Sequence, residues 1–271
     1  MPFFDGTVRK AQELEGEALA GMGRTDDAVR VWSALIEVSD IPTRERVAGE
    51  MATLLKKSQR LLDGSNALVL QAHADRDVPD ATQAKALDRA ALLALGGGDP
   101  GAAIAHWTVA IELAEGLHAH RLACRIRPRL AAALREVCRD DEARLVVDVV
   151  WSDRTASVGL RVDCALMAGD IALSNRQLGK AEEWYDQAAG LLKAKHGAGM
   201  QVRVERRRAE LDALRQHPRA LERVTAAARA AHRARATRDL SRLHAIRGYL
   251  LACAERADEV GPSSVCPSHS A

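Results

Sequence analysis

Apolar residues recur along most of this chain at offsets of three, four and seven, the period of an amphipathic helix, and almost nowhere alternate as a half-buried strand would. Val47, Met51, Leu54, Leu55 and Leu62, for example, trace one apolar stripe. No Asn-Gly or Asp-Gly pair joins two alternating runs; Asp5-Gly6 and Asp63-Gly64 both border helical patterns. Start signals agree with this reading. Pro42 follows Ser39-Asp40, Asp80 precedes a helix over 81–95, and Ser152-Asp153 precedes one over 154–175. A last helix runs from about 235 to 259 and is stopped by Gly261-Pro262. The pattern therefore predicts an all-α helical domain over 1–260 and a disordered tail over 261–271.

The helical pattern repeats. GMGRTDDAVRVWSALIEV (21–38), GGGDPGAAIAHWTVAIEL (96–113) and RQLGKAEEWYDQAAGLL (176–192) share one layout. A turn containing Gly leads to an anchoring Ala, an aromatic four residues later and a small or apolar residue seven later. The anchors are Ala28, Ala103 and Ala181, their aromatic partners are Trp32, Trp107 and Tyr185, and offsets of four and seven place all of these on one helix face. Looser copies anchor on Ala143, with Val147 and Val150, and on Ala220, with Val224 and Ala227. Ala67, after the Asp63-Gly64 turn, fills the remaining place. The interval is then 36 to 40 residues, room for two helices per unit, or about six helix pairs plus a C-terminal helix. Twelve before the anchors stand Gly16, Ala91, Ala131 and Gly169, small enough to let the first helix of a pair press on the second.

A turn Gly, an acidic pair, an anchoring Ala, an aromatic four on and a small residue seven on resembles the second helix of a tetratricopeptide repeat; Gly or Ala twelve before the anchor resembles its first helix. The resemblance spans about 1–234. The interval near 39 exceeds the family's 34, and Asp40 and Glu115 stand where the family places a closing Pro. The longer interval resembles divergent arrays within large bacterial signalling proteins. The resemblance implies a right-handed α-solenoid of antiparallel helix pairs, a superhelix whose first helices line a concave groove. Trp32, Trp107 and Tyr185 are then core wedges between helices. Trp151 falls out of register. Solenoids need polar ends. Arg238, Asp239, Arg242, Arg247, Glu255 and Arg256 give the last helix one, whereas no cap precedes residue 7, so the expectation is either a piece of a longer array or association with a partner through an uncapped N-terminal end.

Composition narrows the function. Apolar residues reach 47% but aromatics only 3%, so the apolar mass is Ala, Leu and Val, which favours close-packed helices. The net charge of +2 gives the chain as a whole no mandate to bind nucleic acid or membrane. Locally, 201–250 carries thirteen Arg against five acids, including Arg206-Arg207-Arg208. With one aromatic, Tyr249, it offers almost no base stacking, and it reads as a solvated face or, alternatively, as a dock for an acidic partner segment. Five cysteines at irregular spacing argue for reduced thiols in a cytoplasmic protein. No stretch reaches 18 consecutive apolar residues.

No catalytic signature occurs: no Gly-x-Ser-x-Gly, no phosphate loop ending in Gly-Lys-Ser/Thr, no His-Glu-x-x-His. Gly96-Gly97-Gly98 lies between two helices and reads as a cap and turn. His120 and Cys124 share a helix face near His118, but a structural zinc needs four ligands and Cys138 is too far along to supply one. No cofactor and no enzymatic activity are expected.

By the family's pattern, groove positions lie 18, 15, 11 and 8 before each anchor. Their charged occupants are Lys10, Glu13, Glu17, Lys85, Asp88, Arg125, Arg135, Asp163, Asp170, Glu205 and Asp212, a mixed and mildly acidic set. The Lys and Asn with which some family members grip a C-terminal carboxylate are absent from positions 15 and 11 before the anchors. The expectation is a scaffold that binds a protein or peptide of unknown identity in the groove, without a carboxylate clamp. The alternative is a sensor segment of a larger bacterial kinase or transcriptional regulator, binding a peptide or small ligand.

Overall fold

The computed structural model describes residues 3–72, 80–192 and 197–260, with side chains from Gly6 to Ala254 within those ranges. The expected tail over 261–271 and the side chains of Glu255 and Arg256 lie outside the described residues. The described residues form thirteen α-helices and no strand: α1 (Phe3–Gly21), α2 (Thr25–Val38), α3 (Ile41–Lys57), α4 (Leu61–Ala72), α5 (Ala81–Gly96), α6 (Pro100–Gly116), α7 (His120–Glu136), α8 (Asp140–Ser152), α9 (Val158–Ser174), α10 (Leu178–Leu191), α11 (Ala198–Leu214), α12 (Ala220–Arg233) and α13 (Thr237–Val260). They make the six helix pairs and final helix that the repeat interval predicts. Helix contacts group into two compact units, one ending at Asp153 and the other starting at Arg154. Within each unit every helix packs on the next in sequence, and in the second α11 also touches α9 and α13.

The pairs are closed by one recurring turn. Gly23, Gln59, Gly98, Cys138, Arg176 and Gln216, which end the first helix of each pair, all have positive φ. After each, the next amide donates to the carbonyl five residues back, as from Arg60 to Leu55 (2.8 Å) and from Arg139 to Leu134 (2.9 Å). A left-handed residue followed by this long bond is the Schellman stop, which satisfies carbonyls the helix leaves open. Entry to first helices is capped where the sequence signals it. Asp40 accepts from the Thr43 amide at 3.1 Å, and Asp80 forms a full capping box with Gln83.

The core follows the repeat. Ala28, Ala103, Ala143, Ala181 and Ala220 are buried, as are Trp32, Trp107, Val147, Tyr185 and Val224 four residues on. Three sequence expectations need correction. The second pair anchors on Gly64, not Ala67. Counting five from the left-handed residue gives Gly64 after Gln59, as it gives Ala28 after Gly23, and Leu68 follows four later at 1% exposure. Asp63-Gly64 is therefore inside α4, and the turn is Ser58-Gln59-Arg60, held by Arg60 donating to Asp63. Leu62 leaves the predicted stripe because it belongs to α4 and is exposed. Finally, α8 continues through Ser152, and α9 starts only at Val158, where the Ser157 hydroxyl caps the Leu160 amide.

Candidate partner-binding site

The odd-numbered helices α1 to α11 are the first members of the pairs, and the predicted groove residues sit on them. Their carboxylates are largely engaged by arginines from the next first helix. Glu13 is 4% exposed and is held by Arg46 of α3 and by Lys10 Nζ at 2.9 Å. The Arg46 hydrogen bond outweighs burial and lowers the Glu13 carboxyl below its ordinary range. Asp88 accepts from Arg129 of α7 at 2.6 Å and from Trp107 Nε1 at 3.0 Å. In the second unit, Asp163 meets Arg203 and Asp170 meets Arg207, both across α9 and α11. Asp170 also accepts from the Tyr185 hydroxyl at 2.8 Å; burial and then the Asp170 charge raise that phenol. At the last step the polarity reverses, and Arg206 of α11 reaches Asp239 of α13 at 2.6 Å. Asp212 pairs with Arg223 at 2.6 Å, and Glu205 with Arg208 at 3.1 Å.

These arginines were invisible to local reading, because 33 to 41 residues separate the partners. The Arg206-Arg207-Arg208 run is accordingly not a solvated face. Arg206 is buried, and all three side chains bind carboxylates, including Glu210 and Asp186. Lys85 and Arg125 are exposed, and Arg135 is half-buried with Asp140 at 3.9 Å. His118 and His120 have ring centroids 6.2 Å apart, while Cys124 Sγ faces Asp153 at 3.0 Å; burial and that carboxylate raise the thiol. Among the described residues no three His, Cys, Asp or Glu side chains cluster to hold a metal.

One step within the first unit breaks the pattern. Between α3 and α5 no ion pair forms among the described residues, and a cavity of about 610 Å³ opens on the first-helix face. Its wall includes Glu17 from α1, Arg46, Glu50 and Lys57 from α3, and Arg89 from α5. Trp32 and Gln71 come from the second helices behind. The buried Trp32 Nε1, Glu50 Oε2 and Gln71 Oε1 have no hydrogen-bond partner among the described residues. In the third and fifth pairs the corresponding aromatic is satisfied by Asp88 or Asp170; in the first, Glu13 is occupied by Arg46 and Lys10. Of the predicted groove residues only Glu17 reaches this wall. The Gly64 register recovers more: 18, 15 and 11 before it stand Arg46, Gly49 and Thr53, all on the wall. A second, more apolar cavity of about 500 Å³ is lined by α9, α11 and α13 of the second unit, with Leu173, Leu214, Ile246 and Tyr249 on its wall.

Solved structures share this arrangement of helix pairs. The apo form of RapI aligns with a TM-score of 0.61 at 9% identity, covering 92% of this chain and 75% of that one. A Rap protein complexed with competence and sporulation factor gives 0.59 at 11%, covering 93% and 87%. The apo quorum sensor NprR from B. thuringiensis gives 0.59 at 14%, covering 89% and 70%. The fold is a divergent tetratricopeptide-like helical repeat. No family model and no curated protein sequence matches the chain. Among the described residues of this repeat fold, no helix is long and apolar enough to cross a membrane.

Proposed function

We propose that the chain is a binding protein rather than an enzyme, and that a protein or peptide segment seats on the first-helix face of the first unit, over the α3–α5 cavity. One observation carries the reading. Across α1–α3, α5–α7 and α9–α11 a carboxylate of one first helix meets an arginine of the next, whereas here Glu17, Lys57 and Arg89 have no ion-pair partner among the described residues and border a cavity with unsatisfied polar atoms. Its volume falls within the roughly 300–1,000 Å³ common for ligand sites. Buried polar atoms without partners are costly, so a polar ligand that reaches them gains more than surface charge alone would give. Three charges of mixed sign suit a peptide bearing both signs better than a uniformly acidic one. Lys10, Lys85 and Arg125 flank the surface as secondary contacts.

The likeness to a quorum sensor and to a Rap protein solved with competence and sporulation factor supports the peptide form of this reading, and with it a regulatory role. The free thiols Cys124, Cys138, Cys164 and Cys253 fit a reducing compartment, and we place the protein in the cytoplasm. The test is selection from a random peptide library on the immobilised full chain, repeated on the Lys57→Glu/Arg89→Glu variant. Peptides retained by the wild type and lost by the variant support the reading; equal retention places binding elsewhere.

A further inference from the structure

In the second unit, α12 and α13 line a cavity of about 410 Å³. Thr225, Arg229, His232 and Arg233 reach it from α12, and His244 and Arg247 from α13, over a floor that includes Leu240. Residues 225, 229 and 232 form one helical stripe, 240, 244 and 247 another, so the helix pair brings both to one place. Among the described residues, no carboxylate lines the cavity. Among the described residues no ion-pair or hydrogen-bond partner serves the side chains of Arg229, Arg233, Arg247, His232 or His244.

The acids of the same segment are committed elsewhere. Residues 201–250 hold five acids, and four are already taken: Glu205 by Arg208, Glu210 by Arg206 and Arg207, Asp212 by Arg223, and Asp239 by Arg206. The fifth, Glu222, is exposed and off the cavity wall. Among the described residues, three guanidiniums thus share one bowl with no internal counter-charge, which favours an anion from solution.

The geometry points to a compact phosphate group as that anion, a phosphate monoester or a diphosphate. Guanidinium forks match phosphate oxygens two at a time, and a group carrying about two negative charges answers three arginines better than a single carboxylate does. Each of the two imidazoles adds an N–H donor, whereas the Thr225 hydroxyl is already committed as a donor to the Leu221 carbonyl at 2.7 Å. A nucleic-acid strand is disfavoured, since the basic groups converge on one bowl and, among the described residues, the wall has no Phe, Tyr or Trp for bases to stack on.

The experiment is isothermal titration of the full chain with inorganic pyrophosphate and, separately, with O-phosphoserine, at constant ionic strength. Saturable binding of either, weakened at least tenfold by Arg229→Gln and by Arg247→Gln but unchanged by Arg238→Gln, is expected; which of the two binds tells a free diphosphate from a side-chain monoester. The substituted residues are exposed, so the circular dichroism melt serves as a fold control. Absence of binding to both anions, or equal binding by all variants, overturns the proposal. It also falls if a labelled single-stranded oligonucleotide or a polyglutamate peptide binds through these arginines and pyrophosphate does not displace it.

Discussion

Tyr185 packs so closely on Gly169 that a Cβ at position 169 would stand 2.3 Å from Tyr185 Cε1, while the hydroxyl of the same ring donates to the neighbouring Asp170 at 2.8 Å. Van der Waals contact and hydrogen bond act together, so the ring cannot retreat from an added methyl without losing Asp170. Gly169→Ala is expected to destabilise the second unit by about 1–3 kcal/mol from overpacking, even though Ala is favoured in helices by up to about 1 kcal/mol. Gly190→Ala, where nothing lies within 4 Å, is the control and should be neutral or stabilising. Urea denaturation of the two variants checks this; equal midpoints would contradict it.

Trp107 performs two tasks in the third pair. It fills the wedge between α5 and α6 at 1% exposure, and its indole donates to Asp88, which also binds Arg129. Trp107→Ala should cost about 3–5 kcal/mol. Asp88→Ala keeps the ring but strands the indole N–H and weakens the hold on Arg129, for about 1–3 kcal/mol per unsatisfied buried group. Denaturation followed by far-ultraviolet circular dichroism distinguishes them, and an unchanged melting temperature for Trp107→Ala would refute the wedge assignment.

Acid should loosen the α1–α3 contact. The Arg46 hydrogen bond holds the Glu13 carboxyl below its ordinary range in the folded chain. A depressed folded value means that the pair's contribution is present above the unfolded carboxylate pKa and is lost as pH falls through the folded one. Stability measured against pH should therefore decline more steeply on the acid side for the wild type than for Glu13→Gln. Parallel curves would show that Glu13 does not contribute.

Thiol chemistry reports on the turns. Cys138 is exposed and holds φ at 59°, a conformation that costs an L-residue about 1–2 kcal/mol. Cys138→Gly should raise stability by up to about 1 kcal/mol, part of the relief being offset by the unfolded-chain entropy of Gly. Alkylation with peptide mapping should modify Cys138 and Cys253 quickly and Cys164 and Cys124 slowly. Both slow thiols are buried, and burial together with Asp153 also raises Cys124. Rapid modification of Cys164 in the native chain would contradict the packing of α9.

The fold was legible because each pair repeats its own core offsets, and a helix that buries Ala28, Trp32 and Leu35 declares its face locally. The second pair misled for a physical reason. Its turn places Gln59 in the left-handed region, where a Gly is usually sought, and its anchor slot holds Gly64, which the Leu93 side chain (3.1 Å) and the Ala52 carbonyl (3.3 Å) leave little room to enlarge. A glycine needed for close packing was thus read as a turn. The α3–α5 wall depended on that register and was missed with it, except for Glu17. The arginine partners of Glu13, Asp88 and Asp170 could not be foreseen, because stacking, not local sequence, brings them within reach.

The ion pairs between first helices have a consequence for how such a chain can change. Glu13, Asp88 and Asp170 each depend on an arginine supplied by the following pair, and Asp239 on one supplied by the preceding pair. A helix pair copied, deleted or moved to another place would arrive with the wrong neighbour and leave a buried acid unanswered. The pairs share a shape but are not interchangeable: their order is written in electrostatic keys, and duplication within the array must bring its matching arginine along.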